Sequence, residues 1–274
     1  MASVEPNNST NTLESFLTFL YEGLEGYIYV AVKPPNQQTE WHQEFFEYPT
    51  EIPKILDLIP KAAKKFEVYM GPVVYSEKRV AKEAFKASNV IWADFDGNAP
   101  EWEFDTHGEP SLIIQSSTAT KQHVYWRLVE PLTNADALED LNRRVAYNLG
   151  SDKGAWDTTR VLRPPETLNY KYNPPLNVHV NHSNETRYDV ELFNTLAPVP
   201  ATTHEEWDVT VLPNVQDIIL KYPFPPDMVA LLSKENFPDR SAALMNLAYG
   251  CCEMGMTNKE VFAMLLLLDD KVGK

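Results

Sequence analysis

Three short stretches of this chain hold residues whose types and spacing suit chemistry on a phosphate. The first, VIWADFDG (90–97), reads as a strand with Val90, Trp92, Asp94 and Asp96 on one face and Ile91, Ala93 and Phe95 on the other. Two carboxylates at i and i+2 repel, and burying them unpaired is costly, so a cation belongs between them; a divalent metal is the candidate. The plainer alternative is a solvated strand end, where Asp is common. The second, SSTATKQHVYWRL (116–128), puts His123, Tyr125 and Arg127 on one strand face and Val124, Trp126 and Leu128 on the other. Hydroxyls of Ser117, Thr118 and Thr120, the Lys121 ammonium and a His123 N–H together suit a triphosphate. Taken alone, His123 reads as a histidine at the edge of the core. The third, GSDKGAWDTTRVLRPPETLNYK (150–171), supplies Asp152 and Asp157 and then Arg160, Arg163, Asn169 and Lys171. Acids followed by separate cations can complete a metal site and reach a nucleotide; a surface salt-bridge strip is the alternative.

Regular elements must position these residues. Apolar spacing predicts helices over 12–24, 52–65 and 134–149, the last capped by Asn134 and stopped by Gly150. Alternation predicts strands over 26–33, 40–48, 66–75, 111–117 and 123–128, besides the acidic strand. Interleaved strands and helices place the region 12–195 in the α/β or α+β class. Residues 1–11 read as a frayed terminus, the Pro-, Thr- and acid-rich stretch 196–226 as a linker, and 227–274 as a small helical domain. The sequence stops at Lys274 just after an acidic-basic run, as though a longer protein continued.

With 274 residues, 43% hydrophobic and 23% charged, the chain is long enough for one large domain or two smaller ones. A formal net charge of −15 argues against polyanion binding over the whole surface, while local basic strips can still hold phosphates. Adjacent Cys251 and Cys252 form neither a C-x-x-C half-site nor an ordinary intrachain disulfide, so no zinc is expected and they most simply pack in the helical domain. With no signal peptide or long apolar span, a reducing, cytoplasmic compartment and no membrane are expected. No P-loop or G-x-G-x-x-G occurs. His179 and His182 fall on opposite strand faces, and His42, His107 and His204 have no evident partners. A rolling-circle nuclease would need a His-hydrophobic-His pair, and QHVYW holds one histidine.

The ordered set of Asp-hydrophobic-Asp, a Ser-to-His segment, and a later acid followed by Arg-x-x-Arg-Pro and Thr-x-Asn-x-Lys resembles the archaeo-eukaryotic primase superfamily, in its plasmid and phage replication-protein branch. The likeness runs from Gly26 to Lys171, and RSAALMNLAYG resembles the helical module that often follows. It implies a catalytic domain built on a mixed sheet of the primase type, followed by a small all-helical domain. It also implies a primase-polymerase that makes primers on single-stranded DNA by two-metal phosphoryl transfer, with Mg²⁺ or Mn²⁺ ions about 3.5–4 Å apart. By resemblance Asp94 and Asp96 match the first metal motif, Ser117 and His123 the nucleotide-phosphate motif, and Arg163, Asn169 and Lys171 the basic end of the third. Lys121, His123, Arg163, Asn169 and Lys171 would bind the incoming triphosphate, with Ser117 supporting the loop. Asp152 is the favoured third metal ligand; Asp157 is the alternative, or instead orients Arg160. Implied partners are a single-stranded DNA template, nucleoside triphosphates, and a replicative helicase in the same longer protein or in trans. Two loops depart from the family's pattern: Thr118, Ala119 and Thr120 stand where relatives commonly have glycines, and Glu166 where they have the glycine of Pro-Gly-Thr. These departures and the acidic charge motivate an alternative, a replication protein that binds single-stranded DNA with weak or no catalysis.

Overall fold

The computed structural model describes residues 12–35, 41–103, 108–199, 212–234 and 240–272; the expected frayed terminus, His107 and His204 lie outside them. The chain divides into two compact units, Met1–Pro200 and Ala201–Lys274.

The first unit is the expected mixed α/β structure. Among the described residues its strands are β1 (Gly26–Lys33), β2 (His42–Tyr48), β3 (Glu67–Met70), β4 (Val74–Tyr75), β5 (Phe85–Asp96), β6 (Leu112–Gln115), β7 (Lys121–Leu132), β8 (Thr167–Asn169), β9 (Leu176–Ser183) and β10 (Arg187–Tyr188). They join in the order β2-β1-β4-β5-β7-β6-β9-β8, with β3 beside β1 and β10 beside β7. All pairings are antiparallel except β10 with β7. The single strand expected over 66–75 is two. Pro72 has no N–H for a ladder and interrupts the pairing with β1 (Val30 opposite Met70); beyond it the chain meets β1 again (Tyr27 opposite Tyr75) and pairs β5 on its other side (Val74 opposite Ala87).

Helix α1 (Thr12–Tyr21) buries Leu13, Phe16, Leu17, Leu20 and Tyr21 in the core that also takes Ile91, Trp92, Phe95, Ile113 and Val124. Helix α2 (Ile52–Ala62) is one turn shorter than expected, and α4 (Val190–Asn194) is a brief return. Helix α3 (Ala135–Leu149) begins and ends as its sequence signals: the Asn134 side chain accepts from Ala137 N–H at 3.0 Å, and Gly150 closes it at φ 72°.

The acidic strand β5 outruns β4, which pairs only as far as Ala87. Backbone groups on the open side then need partners. Trp92 N–H donates to Asn142 Oδ1 of α3 at 3.0 Å, and Asp94 C=O accepts from Asp152 N–H at 2.8 Å. Asn142 also donates to Trp156 C=O at 3.2 Å, Trp92 Nε1 donates to Ala155 C=O at 2.8 Å, and Thr158 N–H donates to Glu139 at 3.2 Å. The segment carrying Asp152 is thus stitched along the edge of the acidic strand. Replacing Asn142 by Leu strands the Trp92 N–H and the Trp156 carbonyl, so we expect a loss of about 2–3 kcal/mol in urea unfolding. A loss below about 0.5 kcal/mol, the range of neutral surface changes, would show that this carboxamide does not close the edge.

In the second unit, α5 (Val215–Lys221), α6 (Pro226–Ser233), α7 (Arg240–Glu253) and α8 (Asn258–Val272) share a core of Ile218, Met228, Leu247, Cys251, Met264 and Leu268. The linker expected over 196–226 therefore contains a helix. Asn214 caps it, accepting from Gln216 N–H at 2.8 Å, and Ile218 is its buried residue; the surrounding prolines concealed so short an element. Cys251 is buried, as expected of a packed thiol, whereas Cys252 is exposed. Thr257 N–H and Oγ1 each donate to Glu260 at 2.8 Å at the start of α8, and Lys221 at 2.8 Å helps bring the Glu260 carboxyl down to about 2. No helix among the described residues is long and apolar enough to cross a membrane.

Candidate active site

Strand register fixes the first half of the site. Asp94 lies opposite His123 and Asp96 opposite Lys121 across the β5–β7 pair. His123 Nε2 is 3.7 Å from Asp94 Oδ1, and Lys121 Nζ is 2.6 Å from Asp96 Oδ1. Gly97, at φ 121°, then turns the chain off the strand, a conformation that glycine permits and side chains rarely adopt. Both pairs line a cavity of about 270 Å³. Asp152, Arg160, Arg163, Asn169 and Lys171 line the same cavity, brought in by the segment stitched to β5 and by β8. The structure thus gathers around one cavity eight residues singled out in the sequence for metal or phosphate, together with Arg160.

Other candidates fall elsewhere. Ser116 lines the cavity in place of Ser117, whose hydroxyl meets the Tyr172 phenol at 3.3 Å. Thr118 and Thr120 are exposed in the β6–β7 turn. Asp157 is not in the lining: its carboxylate accepts from Thr159 N–H at 3.0 Å and from the Thr159 hydroxyl, and sits 3.5 Å from Arg160 Nη2. These contacts close its own turn and set it beside Arg160. Arg127, on the same strand face as His123, turns to Glu22 at 2.6 Å.

Two residues that sequence reasoning missed hold Arg163. Its guanidinium donates to the Tyr69 phenol at 2.6 Å, lies 3.3 Å from Glu67 Oε2, and stacks 4.6 Å from the Tyr69 ring centroid. Glu67 is only 2% exposed, and Tyr69 donates to it. The paired backbone hydrogen bonds between Met70 and Leu162, both 2.9 Å, bring these segments together. The available signal was a carboxylate inside the apolar strand EVYM. Asn169 donates to Ser116 C=O at 2.9 Å and accepts from Lys171 N–H at 3.1 Å, so it ties the Ser loop to the lysine turn.

The electrostatics follow from these contacts. The Lys121 hydrogen bond, with the Lys171 and Arg163 charges behind it, holds the Asp96 carboxyl below its usual range, and Asp96 raises Lys121 in return. Burial lowers the His123 pKa, against the pull of Asp94, so the ring is neutral at pH 7. A base whose folded pKa is depressed costs stability as pH falls below its unfolded value of about 6.5, because protonation then favours the unfolded chain. His123 Nδ1 is buried and makes no hydrogen bond within the chain.

Glu166, the residue in place of the family's glycine, has φ 62°, the left-handed region that glycine adopts without strain. Holding a residue with a side chain in this conformation costs about 1–3 kcal/mol. Glu166 is exposed and does not line the acidic cavity.

Three carboxylates on one cavity offer hard oxygen donors of the kind Mg²⁺ and Mn²⁺ take. Among the described residues no three His, Cys, Asp or Glu side chains already converge as metal ligands. The Lys121 ammonium against Asp96 holds the place of a cation, so the donor chemistry fits a divalent ion that displaces Lys121.

The fold of the chain is one seen in solved primase domains. It superposes on the primase domain of the primase-polymerase of cyanophage S-2L with a TM-score of 0.52 at 17% identity, over 68% of this chain and 97% of that one. Weaker superpositions relate it to primase RepB′, with a TM-score of 0.49 at 12% identity over 96% of this chain and 94% of that one, and to the catalytic domain of RepB′ in complex with initiator DNA, with a TM-score of 0.44 at 13% identity over 62% and 86%. No protein-family profile and no curated protein matches the sequence.

Proposed function

We propose that this chain is a primase-polymerase: a metal-dependent nucleotidyltransferase that makes primers on single-stranded DNA. The observation that carries the reading is the convergence of Asp94, Asp96 and Asp152 with Lys121, His123, Arg163 and Lys171 on one cavity of a primase fold. When bound there by the three carboxylates, Mg²⁺ or Mn²⁺ supplies charge neutralisation at the phosphates and a more acidic attacking 3′-hydroxyl. The protein's own part is positioning. At about 270 Å³ the cavity seats a triphosphate better than a whole nucleotide, since pockets enclosing drug-sized ligands span roughly 300–1,000 Å³. Lys121 and Lys171 bring ammonium groups to the phosphates, and Arg163, braced by Glu67 and Tyr69, brings a guanidinium. Neutral His123 offers an N–H from a buried ring, and Ser117 supports the loop through Tyr172.

His123→Ala should raise KM for nucleotide about tenfold while leaving template affinity within about twofold, the split expected of a residue that meets the incoming phosphates alone. Steady-state incorporation at saturating template reads it, and unchanged nucleotide kinetics would remove His123 from the site. A second reading, a replication protein with weak or no catalysis, is favoured by the Lys121–Asp96 pair, which competes with metal. Titration with Mn²⁺ separates the two: transfer activity that rises with metal supports the polymerase, and inactivity at saturating metal supports the binding protein.

A further inference from the structure

We propose that the face of β1 and β2 next to the acidic cavity is a stacking platform for the single-stranded DNA template, an assignment that rests on the nucleotide-transfer reading for the direction in which the strand is led. A cavity of about 560 Å³ opens on this face. Its lining includes the rings of Tyr29, Trp41 and Phe45 with the cations Lys78 and Arg79, and among the described residues no carboxylate, in a chain whose net charge is −15. Val161 lines both this cavity and the acidic one, so the two adjoin.

Aromatic contacts run from one to the other. Trp41 packs on Tyr69 with centroids 5.2 Å apart, Tyr69 lines the acidic cavity, and the Arg163 guanidinium lies 4.6 Å from the Tyr69 centroid. Tyr29 and Phe45 form a second pair at 5.4 Å. Lys33 Nζ lies 5.0 Å from the Trp41 centroid and 5.9 Å from that of Tyr69. Trp41 is 37% exposed, so part of this residue reaches solvent.

Interleaved rings and cations are what an unpaired strand needs, because every base has a π-face and every linkage a negative charge. The ion pair of Arg79 with Glu77 at 3.0 Å is at the surface, both side chains more than half exposed, so a phosphate can replace the carboxylate at little cost. A strand stacked along Trp41 is led past Val161 toward the carboxylates, which is where a template base must present itself to an incoming nucleotide.

The test uses the full chain, a fluorescently labelled oligothymidylate, and anisotropy in the absence of metal and nucleotide. Trp41→Ala should weaken binding about tenfold and Trp41→Phe about twofold. Lys78→Ala with Arg79→Ala should also weaken it about tenfold and reduce the slope of log K against log salt by about 1.4, the share of two single-strand phosphates. This exposed pair keeps the test open should Trp41→Ala lower the melting temperature. Variants that bind as wild type overturn the platform, even if the protein transfers nucleotides and the transfer reading stands. If wild type transfers nothing yet these variants lose DNA, the platform stands and the transfer reading alone fails.

Discussion

Asp94→Ala combined with Asp96→Ala is expected to lower nucleotide incorporation at least about a thousandfold while the protein stays folded. In the proposed function the two carboxylates are the charges through which the cavity would take a divalent ion, and alanine offers none. The fold survives because the structural contact of Asp94 is made by its backbone carbonyl, which accepts from Asp152 N–H and is unaffected by the substitution. Asp96 is already balanced by Lys121, so relief of repulsion and loss of the ion pair oppose each other. Its side chain is 72% exposed, which keeps either effect small. We expect the melting temperature to move by no more than about 4 °C, equivalent to about 1 kcal/mol in a domain of this size. A melted protein, or one that incorporates nucleotides at the wild-type rate, would remove the metal from Asp94 and Asp96.

The second large effect separates the two candidates for the third ligand. Asp152→Asn should raise the metal concentration for half-maximal activity by about tenfold or more, because the amide keeps the shape of the side chain but loses the charge. Its local role is conserved: one carboxylate oxygen accepts from Gly154 N–H at 2.8 Å, and an amide oxygen does the same. Asp157→Asn should leave metal dependence unchanged and cost under about 1 kcal/mol, the worth of its partly exposed pair with Arg160. Metal titration of both variants under one set of conditions decides between them. A silent Asp152 beside an inactive Asp157→Asn would reverse the assignment.

What the sequence made legible were the features that depend on local periodicity. The alternation of VIWADFD placed both acids on one face, and Asn134 and Gly150 marked both ends of α3, because strand faces and helix caps are decided within a few residues. The features it concealed depend on contacts between distant segments. That Asp94 faces His123 follows from the register of β5 against β7, two strands not consecutive in the chain, and not from either strand alone. That Arg163 is braced by Glu67 and Tyr69 depends on residues about a hundred positions upstream, joined through the Met70–Leu162 bridge. Asp157 stood as the alternative to the favoured Asp152, and the turn it closes with Thr159 is not evident from the sequence alone. Glu166 was recognised as a departure from glycine, but not that the backbone would keep φ at 62°. Helix α5 was hidden because seven residues between prolines give too little periodicity to read.

Primer synthesis tests the central claim most directly. The full chain is incubated with single-stranded DNA, labelled nucleotides of both sugar types and Mg²⁺ or Mn²⁺, with no primer supplied. The account predicts short labelled products that require both template and metal and that vanish in the Asp94→Ala, Asp96→Ala protein. Absence of product at saturating Mn²⁺, or product that forms without template or persists in that double variant, would contradict it.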